Sequence, residues 1–295
     1  MRVFECVPNV SDGRDAATLD ACASAIAGGG VTLAHRTSDA VHDRSVFTFF
    51  GSGDAVLAAI VALAAVTTER IDLRTRRGAH PRIGALDVVP IVPFGSATLP
   101  DAAGLAHEIG ARLWSTYALP CVFYGAAATR EERRSLADVR AGQFEALVAR
   151  GHRFGPPDIG DVAAHPKAGA IAIGAREPLV AFNVVLASDD VALARTLARD
   201  LRERGGGLRT LRVLGIALAD GRVQVSCNVT DCDATPLHRV FATIAALAAR
   251  RGVRVERSEL IGLVSRRAIA RAVAHEFGVE GLLTTTQYSG SRANA

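Results

Sequence analysis

His80 is the residue of this sequence best suited to acid–base chemistry. It lies in "RRGAHPRIGALDVVP" (77–91), beside Pro81 and between Gly78 and Gly84, immediately before an apolar run. The setting predicts a turn before a strand, where glycine lets the backbone approach its neighbours closely. Imidazole titrates near neutral pH and is suited to proton transfer. From residue types alone two interpretations stay open: a turn histidine that caps a backbone group, or a functional base.

Arginines surround this histidine in the sequence, at positions 74, 76, 77 and 82. Guanidinium groups bind carboxylates well, so the cluster suits a small anionic ligand. The alternative is a solvated basic face.

Two other kinds of catalytic site are not predicted. The motifs "HEIG" (107–110) and "HEFG" (275–278) each lack the second histidine, four residues on, that a zinc-binding helix requires. Cys6 and Cys227 fall within strand patterns, where a small buried thiol is the ordinary occupant. We therefore expect no metal site and no cysteine nucleophile.

The composition narrows the class of protein. The mean hydropathy is +0.22, but the longest apolar run, at 55–66, is shorter than the roughly 20 residues of a membrane span. No signal-like block follows the start, and the five cysteines form no CxxC pair. The net charge is only +4, without an aromatic-rich basic stretch. We expect a cytoplasmic protein with reduced thiols that binds neither membranes nor nucleic acid.

The secondary-structure elements that must position His80 are predicted as strands and helices in a regular order. The first half reads as a strand at 2–10, a helix at 14–28, strands at 31–35 and 45–51, a helix at 54–68 and a strand at 85–93. Ser11-Asp12-Gly13 is read as the start signal of the first helix. A helix near 100–117 and a strand at 121–126 follow. Residues 150–169 show no period, which indicates a functional loop or a linker.

The second half repeats this order. It reads as a strand at 170–174 and again at 178–187, a helix at 189–204, strands at 211–219 and 223–231, a helix after Pro236 and a strand near 253–257. The fold class predicted is therefore α/β (α+β), with two ferredoxin-like β-α-β-β-α-β subdomains at 1–169 and 170–295. A cleft between two such subdomains is the natural place for a ligand.

Motifs in a fixed order along nearly the whole chain resemble those of the formiminotransferase family. They are "ECVPNVSDG" (5–13), "DRSVFTF" (43–49), "GAHPRIGALDVVPIVP" (78–93), "VFYG" (122–125), "LADVRAGQFEAL" (136–147), "PDIG…HPKAGAIAIGAR" (157–176), "LVAFNV" (179–184), "VQVSCNVTD" (223–231) and "SELIGLV" (258–264).

This resemblance implies a fold and a reaction. The fold is two α/β subdomains enclosing a tunnel for folate, in a homodimer. The reaction moves a formimino group from N-formimino-L-glutamate to N5 of tetrahydrofolate, the co-substrate, in histidine degradation and without a metal.

The resemblance also implies roles for particular residues. His80, in the "HPRxGAxDV" motif, matches the catalytic base of the family. Arg44 and Arg82 lie within motifs and are expected to bind the anionic substrates, with Glu259 as a further substrate contact. The expected folate-binding positions are Gly160, His165, Pro166 and Gly169.

The chain departs from the family pattern before the "DRS" arginine. His35 and Thr37 stand where the family carries acids, Asp43 stands in place of an asparagine, Val185 replaces a second asparagine and Ser265 replaces a proline. These departures keep two alternatives open. One is formyl transfer from N-formylglutamate to tetrahydrofolate, and the other is a folate-binding relative without turnover.

Overall fold

The computed structural model describes residues 2–40, 42–78, 81–218 and 220–276. Capping residues and glycines set the ends of several helices. Asp15 accepts hydrogen bonds from the amides of residues 17 and 18 and starts the first helix, which ends before Gly29 and Gly30. The predicted start signal at 11–13 was therefore wrong. Asp12 instead accepts from the amides of Arg14 and Asp15 and belongs to a turn before the helix.

The chain divides into two units, Met1–Glu177 and Pro178–Ala295. The first contains β1 (Val3–Cys6), β2 (Asn9–Val10), α1 (Ala16–Gly28), β3 (Thr32–Asp39), β4 (Arg44–Gly51), α2 (Gly53–Arg70), β5 (Leu86–Phe94), α3 (Leu99–Tyr117), β6 (Cys121–Gly125), α4 (Leu136–Val139), α5 (Gln143–Arg150) and β7 (Ile171–Ala175). The second contains β8 (Val180–Leu186), α6 (Val191–Leu201), β9 (Leu211–Ala217), β10 (Val223–Val229), α7 (Leu237–Ala249), β11 (Val255–Ile261) and α8 (Arg266–Glu276).

Each unit is built on its own sheet, so the fold is a mixed α/β fold with the predicted β-α-β-β-α-β order in both halves. In the first sheet β3 pairs with β4, which pairs with β1 and β2, and these pair with β5. In the second sheet the order is β11-β8-β10-β9, and all neighbours are antiparallel.

The boundary between the units differs from the predicted one at residue 169. Strand β7 runs parallel to both β5 and β6 and so completes the first sheet instead of opening the second unit. The first unit therefore extends to Glu177. The predicted folate tunnel concerns the arrangement of the two units and stays a prediction.

The apolar core of the first unit lies between its sheet and helices α1, α2 and α3. A smaller cluster under α4 and α5 covers part of the other face, around Val88, Val122 and Tyr124. None of the helices in the described ranges has the length and hydropathy that crossing a membrane would require.

Candidate active site in the first unit

The segment that carries His80 is held on both sides of that histidine, although Ala79 and His80 themselves lie outside the described residues. On one side, a Cβ added to Gly78 would lie 2.3 Å from the carbonyl oxygen of His42, so only glycine allows this approach. On the other, the amides of Ile83 and Gly84 donate to Oδ1 of Asp87 at 2.7 and 3.3 Å. The role of His80 as the base stays a prediction.

Arg76 joins the segment before His80 to two other family motifs. Its Nη1 and Nη2 donate to the two carboxylate oxygens of Asp12 at 2.9 and 2.6 Å, and Nη1 lies 3.4 Å from Oδ1 of Asp43. Both carboxylates are buried. Asp43 has a φ of +49°. Glycine adopts this left-handed conformation most easily, and asparagine and aspartate are the next most tolerant residues. This explains how Asp43 can occupy the position of the family's asparagine.

Asp87 is the centre of the most buried charged cluster in this region. Its side chain is 0% exposed, and its Oδ2 accepts from Nη1 of Arg44 and from Nη1 of Arg140, each at 2.9 Å. Burial by itself would raise the pKa of the Asp87 carboxyl, but the guanidiniums of Arg140 and Arg44 outweigh it and hold this pKa below its usual value. Asp87 is therefore an anion that orients two cations and the turn after Pro81.

Arg44, predicted as a substrate contact, already has protein partners. Its Nε and Nη2 donate to Oδ1 of Asn9 at 3.0 and 2.6 Å, and Nη1 donates to Asp87. Burial lowers the pKa of Arg44 to about 10, with Asp87 opposing that shift and the charge of Arg140 adding to it. A contact between Arg44 and substrate stays a prediction.

Arg82 is 6% exposed and ties three segments together. Its Nη2 donates to the carbonyl of Arg76 at 2.8 Å and to Oε1 of Glu145 at 2.9 Å, and its own carbonyl accepts from the amide of Phe144. Burial would raise the pKa of Glu145, but the hydrogen bond from Arg82 lowers it overall. Arg82 thus links the segment before residue 79 to helix α5, and its predicted substrate contact stays a prediction.

The other arginines of the predicted basic cluster also have carboxylate neighbours. Arg74 pairs with Asp72 at 2.6 Å, and Arg77 lies 3.6 Å from Glu145. These charges are largely neutralised within the protein, so the cluster as a whole is weaker as an anion site than its sequence indicates.

Three of the predicted folate-binding residues lie in one tight turn. The backbones of His165 and Gly169 exchange two hydrogen bonds, at 2.8 and 2.9 Å. Nδ1 of His165 accepts from the amides of Lys167 and Ala168, and burial together with the charge of Lys167 lowers the pKa of this histidine. Pro166 is exposed at the tip.

The structure brings this turn against the segment that follows His80. The amide of Ala85 donates to the carbonyl of Ala168 at 2.8 Å, and the amide of Ala170 donates to the carbonyl of Ile83 at 2.9 Å. Gly160 packs on the ring of Trp114. The segments at 83–85 and 165–170 are thus neighbours, and Gly160 contacts Pro120, whose carbonyl accepts from the amide of Ile171. Folate binding by these residues stays a prediction.

Replacing Gly169 by alanine is expected to destabilise the first unit for two reasons. Alanine is strained at the backbone φ of +76° that Gly169 adopts, and its Cβ would also clash with a neighbouring segment. A Cβ there would lie 2.0 Å from the carbonyl oxygen of Ile83, so the two segments must separate. We expect a loss of about 2–5 kcal/mol in the free energy of unfolding, against about 1–2 kcal/mol for Gly30→Ala. Gly30 is the matched control because it has a φ of +79° and open space around its Cα. Equal losses in urea denaturation would contradict this explanation.

Glu259 lies in the second unit, on β11 opposite Asn183 of β8. Its Oε1 accepts from Nε of Arg257 on the same strand at 2.8 Å, and it is half-buried. A substrate contact by Glu259 stays a prediction.

His35 and Thr37, which replace the acids of the family, lie on the edge strand β3. They are opposite Thr48 and Val46 of β4, and Val46 is also opposite Asn9. Directly opposed residues share a face of the sheet. The two replaced positions therefore lie on the same sheet face as Asn9, the partner of Arg44.

Among the described residues, the cysteines and the side chains that could bind a metal do not form a second candidate catalytic site. Burial raises the pKa of Cys22 and Cys227 to about 12 and that of Cys232 to about 11, so thiolates are disfavoured at neutral pH. Within the described ranges, no group of three or more histidine, cysteine or acidic side chains is placed to hold a metal ion.

Two residues central to this site were missed by the sequence analysis. Asp87 is a charged residue within the apolar run "ALDVVPIVP", and this mismatch was the signal available for it. Arg140 lies in the motif at 136–147, but nothing in its spacing connects it with Asp87.

Comparison with known proteins gives consistent results over both units. A family model described as the formiminotransferase domain, N-terminal subdomain, matches residues 3–176, and one described as the formiminotransferase domain matches residues 181–287. The chain is 39% identical over 282 residues to a glutamate formimidoyltransferase of Streptococcus pyogenes serotype M1, covering 95% of this chain and 94% of that protein.

Relatives of the same kind occur in an archaeon and in a bird. A glutamate formimidoyltransferase of Thermoplasma acidophilum is 35% identical over 292 residues, covering 95% of this chain and 94% of that protein. A formimidoyltransferase-cyclodeaminase of Gallus gallus is 36% identical over 280 residues, which cover 92% of this chain and 52% of that protein. The chain thus spans about half the length of the latter relative.

Proposed function

Because the chain belongs to the formiminotransferase family, we propose that it transfers the formimino group of N-formimino-L-glutamate to N5 of tetrahydrofolate, its co-substrate. The observation that carries this proposal is similarity over 94% of the length of each of two glutamate formimidoyltransferases. The site geometry supports it, because the segment that follows His80 adjoins the turn at 165–169.

In this reaction N5 of the folate attacks the amidine carbon of the donor, and a bond forms between them. The attacking nitrogen becomes cationic and must lose a proton. The bond from that carbon to the glutamate nitrogen then breaks, and the departing nitrogen must gain a proton. One imidazole within hydrogen-bond reach of both nitrogens takes the first proton and returns the second, which is the role we assign to His80.

Positive charge supports the binding of the two substrates. Both the donor and the tail of folate carry glutamate carboxylates. Arg44 and Arg140 both pair with the carboxylate of Asp87, and each guanidinium side chain keeps 13% of its surface exposed. Guanidinium groups near the surface favour anionic ligands there. With the family we also propose a homodimer in the cytoplasm that acts in histidine degradation.

The test is a transfer assay with the purified chain, tetrahydrofolate and either N-formimino-L-glutamate or N-formylglutamate. We expect glutamate release with the formimino donor only when tetrahydrofolate is present, and a folate product whose mass shows the formimino group. Release without folate would indicate hydrolysis and would reject the proposal.

The same assay tests the two alternatives. Transfer from N-formylglutamate alone would show that His35 and Thr37, in place of acids, accompany a change of donor. Folate binding without transfer from either donor would show a relative that has lost turnover.

A further inference from the structure

Glu5 is a carboxylate of the first sheet that has no protein partner of its own. Its neighbours on β1, Phe4 and Cys6, belong to the apolar core beneath the helices, so Glu5 points to the opposite face of the sheet. It is half-buried, and within the described ranges its side chain makes no hydrogen bond or ion pair. Burial raises the pKa of the Glu5 carboxyl, and the charge of Arg176 only partly opposes this shift. The fold therefore leaves this carboxylate incompletely stabilised, on a surface that is open in part.

Tyr124 places a second polar group on the same sheet face. Phe123 before it lies in the core beneath the helices, whereas Tyr124 belongs to the cluster on the other face. A Cβ added to Gly174 would lie 2.4 Å from Cε1 of Tyr124, so the ring crosses β7 in the direction of β5. Burial raises the pKa of Tyr124 to about 12, so its hydroxyl stays neutral. No residue of the described segments forms a hydrogen bond with that hydroxyl.

Charges and strand register relate these two groups to the candidate active site. The guanidinium of Arg176 lowers the pKa of both Glu5 and Tyr124, and the charges of Arg140 and Asp87 also act on Tyr124. Glu5 is paired with Val92 of β5, the strand that also carries Asp87. The carboxylate, the hydroxyl and the charged cluster thus surround one stretch of β5.

The substrates of the proposed reaction offer one kind of group that suits the Glu5 carboxylate. An ionised carboxylate only accepts hydrogen bonds, and it repels the glutamate carboxylates that both substrates carry. The formamidine of the donor and the N3–H with the 2-amino group of the pterin are different. Each is an N–C–N edge with two N–H groups side by side, and such a pair matches the two oxygens of a carboxylate.

We propose that the carboxylate of Glu5 binds the paired N–H groups of such an N–C–N edge, with the hydroxyl of Tyr124 beside it, an inference that rests on the proposed function. The bound edge replaces the partner that the protein does not supply. It comes either from the formamidine of the formimino donor or from the pterin of folate.

The test compares Glu5→Gln and Glu5→Asp with the control Glu108→Gln. Glu108 is exposed on α3, which packs on the other face of the sheet, so the control removes the same charge away from the proposed site. In Glu5→Gln we expect Kd for one ligand, measured by calorimetry, to rise about 10- to 100-fold. Glu5→Asp keeps the charge on a shorter side chain and should fall between. The control should match the wild type.

The thermal stability of the unliganded variant gives a second readout. A carboxylate that serves a ligand adds nothing to the fold, and an amide is easier to bury than a charge without a counter-ion. We therefore expect the Tm of Glu5→Gln to equal or exceed that of the wild type. A clear loss of Tm, or failure of this variant to fold, would show that Glu5 serves the structure and would overturn the proposal.

The ligand that is affected identifies the source of the edge. The probes are N-formimino-L-glutamate, tetrahydrofolate and tetrahydropterin, which lacks the glutamate tail. A higher Kd for the donor alone assigns the edge to its formamidine. A higher Kd for both tetrahydrofolate and tetrahydropterin, with the donor unchanged, assigns it to the pterin.

Three binding results would contradict the proposal. They are unchanged Kd values for all probes in Glu5→Gln, an equal rise for the donor and tetrahydropterin, and an equal rise in Glu108→Gln. Absence of transfer by a wild type that still binds the probes would reject the proposed function alone, and the same measurements would still test Glu5. A wild type that binds none of the probes would overturn both.

Discussion

Replacing His80 by alanine is expected to lower kcat for formimino transfer by about 10²–10⁴-fold, the usual contribution of a general acid–base group. Alanine can neither take the proton from N5 nor return one to the departing nitrogen. Ile83 and Gly84 donate to Asp87, and Gly78 closely approaches the carbonyl of His42, so these segments have contacts of their own. We therefore expect the Kd for tetrahydrofolate to change little.

The measurement is steady-state kinetics together with folate binding, and His107→Gln is the control. His107 lies on α3 and contacts the carbonyl of Ala127 through Nε2, away from the turn at 83–84. A His80→Ala variant with nearly the wild-type rate would show that another group moves the protons.

Replacing Asp87 by asparagine is expected to lower the free energy of unfolding by about 3–5 kcal/mol. The variant removes the carboxylate that two largely buried guanidiniums share, and it presents an amide N–H₂ or a neutral oxygen where both cations converge. It also weakens the acceptor that holds the amides of Ile83 and Gly84, so activity should fall as well. Urea denaturation of both proteins gives the difference directly.

The matched control for this prediction is Asp138→Asn. Asp138 is 49% exposed and pairs with Arg153 at 3.1 Å, so its loss should cost about 1 kcal/mol or less. Similar losses in the two variants would contradict the claim that Asp87 is the central counter-ion.

The effect of Asp87 should also depend on pH in a defined direction. Its pKa is lower in the folded protein than in the unfolded chain, where an aspartate titrates near 3.9. Its contribution to stability is therefore complete above that unfolded value and is lost as the pH falls towards the folded value. The stability difference between wild type and Asp87→Asn should shrink below about pH 4, and a difference that grows there would be inconsistent with this pairing.

The order of elements could be predicted because local patterns encode it. Strands β4 and β5, helices α1, α2 and α3 and the hairpin of β9 and β10 lie close to their predicted ranges. Periodicity, caps and turn residues act over a few consecutive positions, so they can be read without knowledge of the fold.

Strand pairing could not be read in the same way. The apolar run at 171–175 was assigned to the second half, yet it inserts between β5 and β6 as a parallel strand. A short apolar run specifies that a strand is buried, but its neighbours in a parallel sheet are set by crossover connections from distant segments. The same limit explains why the domain boundary was placed too early.

The charged site shows this limit most clearly. The residue types around His80 suited an anionic ligand and left open whether this histidine is a base or a turn residue, and the resemblance of the ordered motifs to the family favoured the base. Only the tertiary structure showed that Arg82 supports a turn, that Asp87 joins Arg44 and Arg140, and that the turns at 83–84 and 165–169 adjoin. The physical reason is that a charge is stabilised by whichever group lies beside it in space. Asp87 is 43 residues from one of its arginines and 53 from the other.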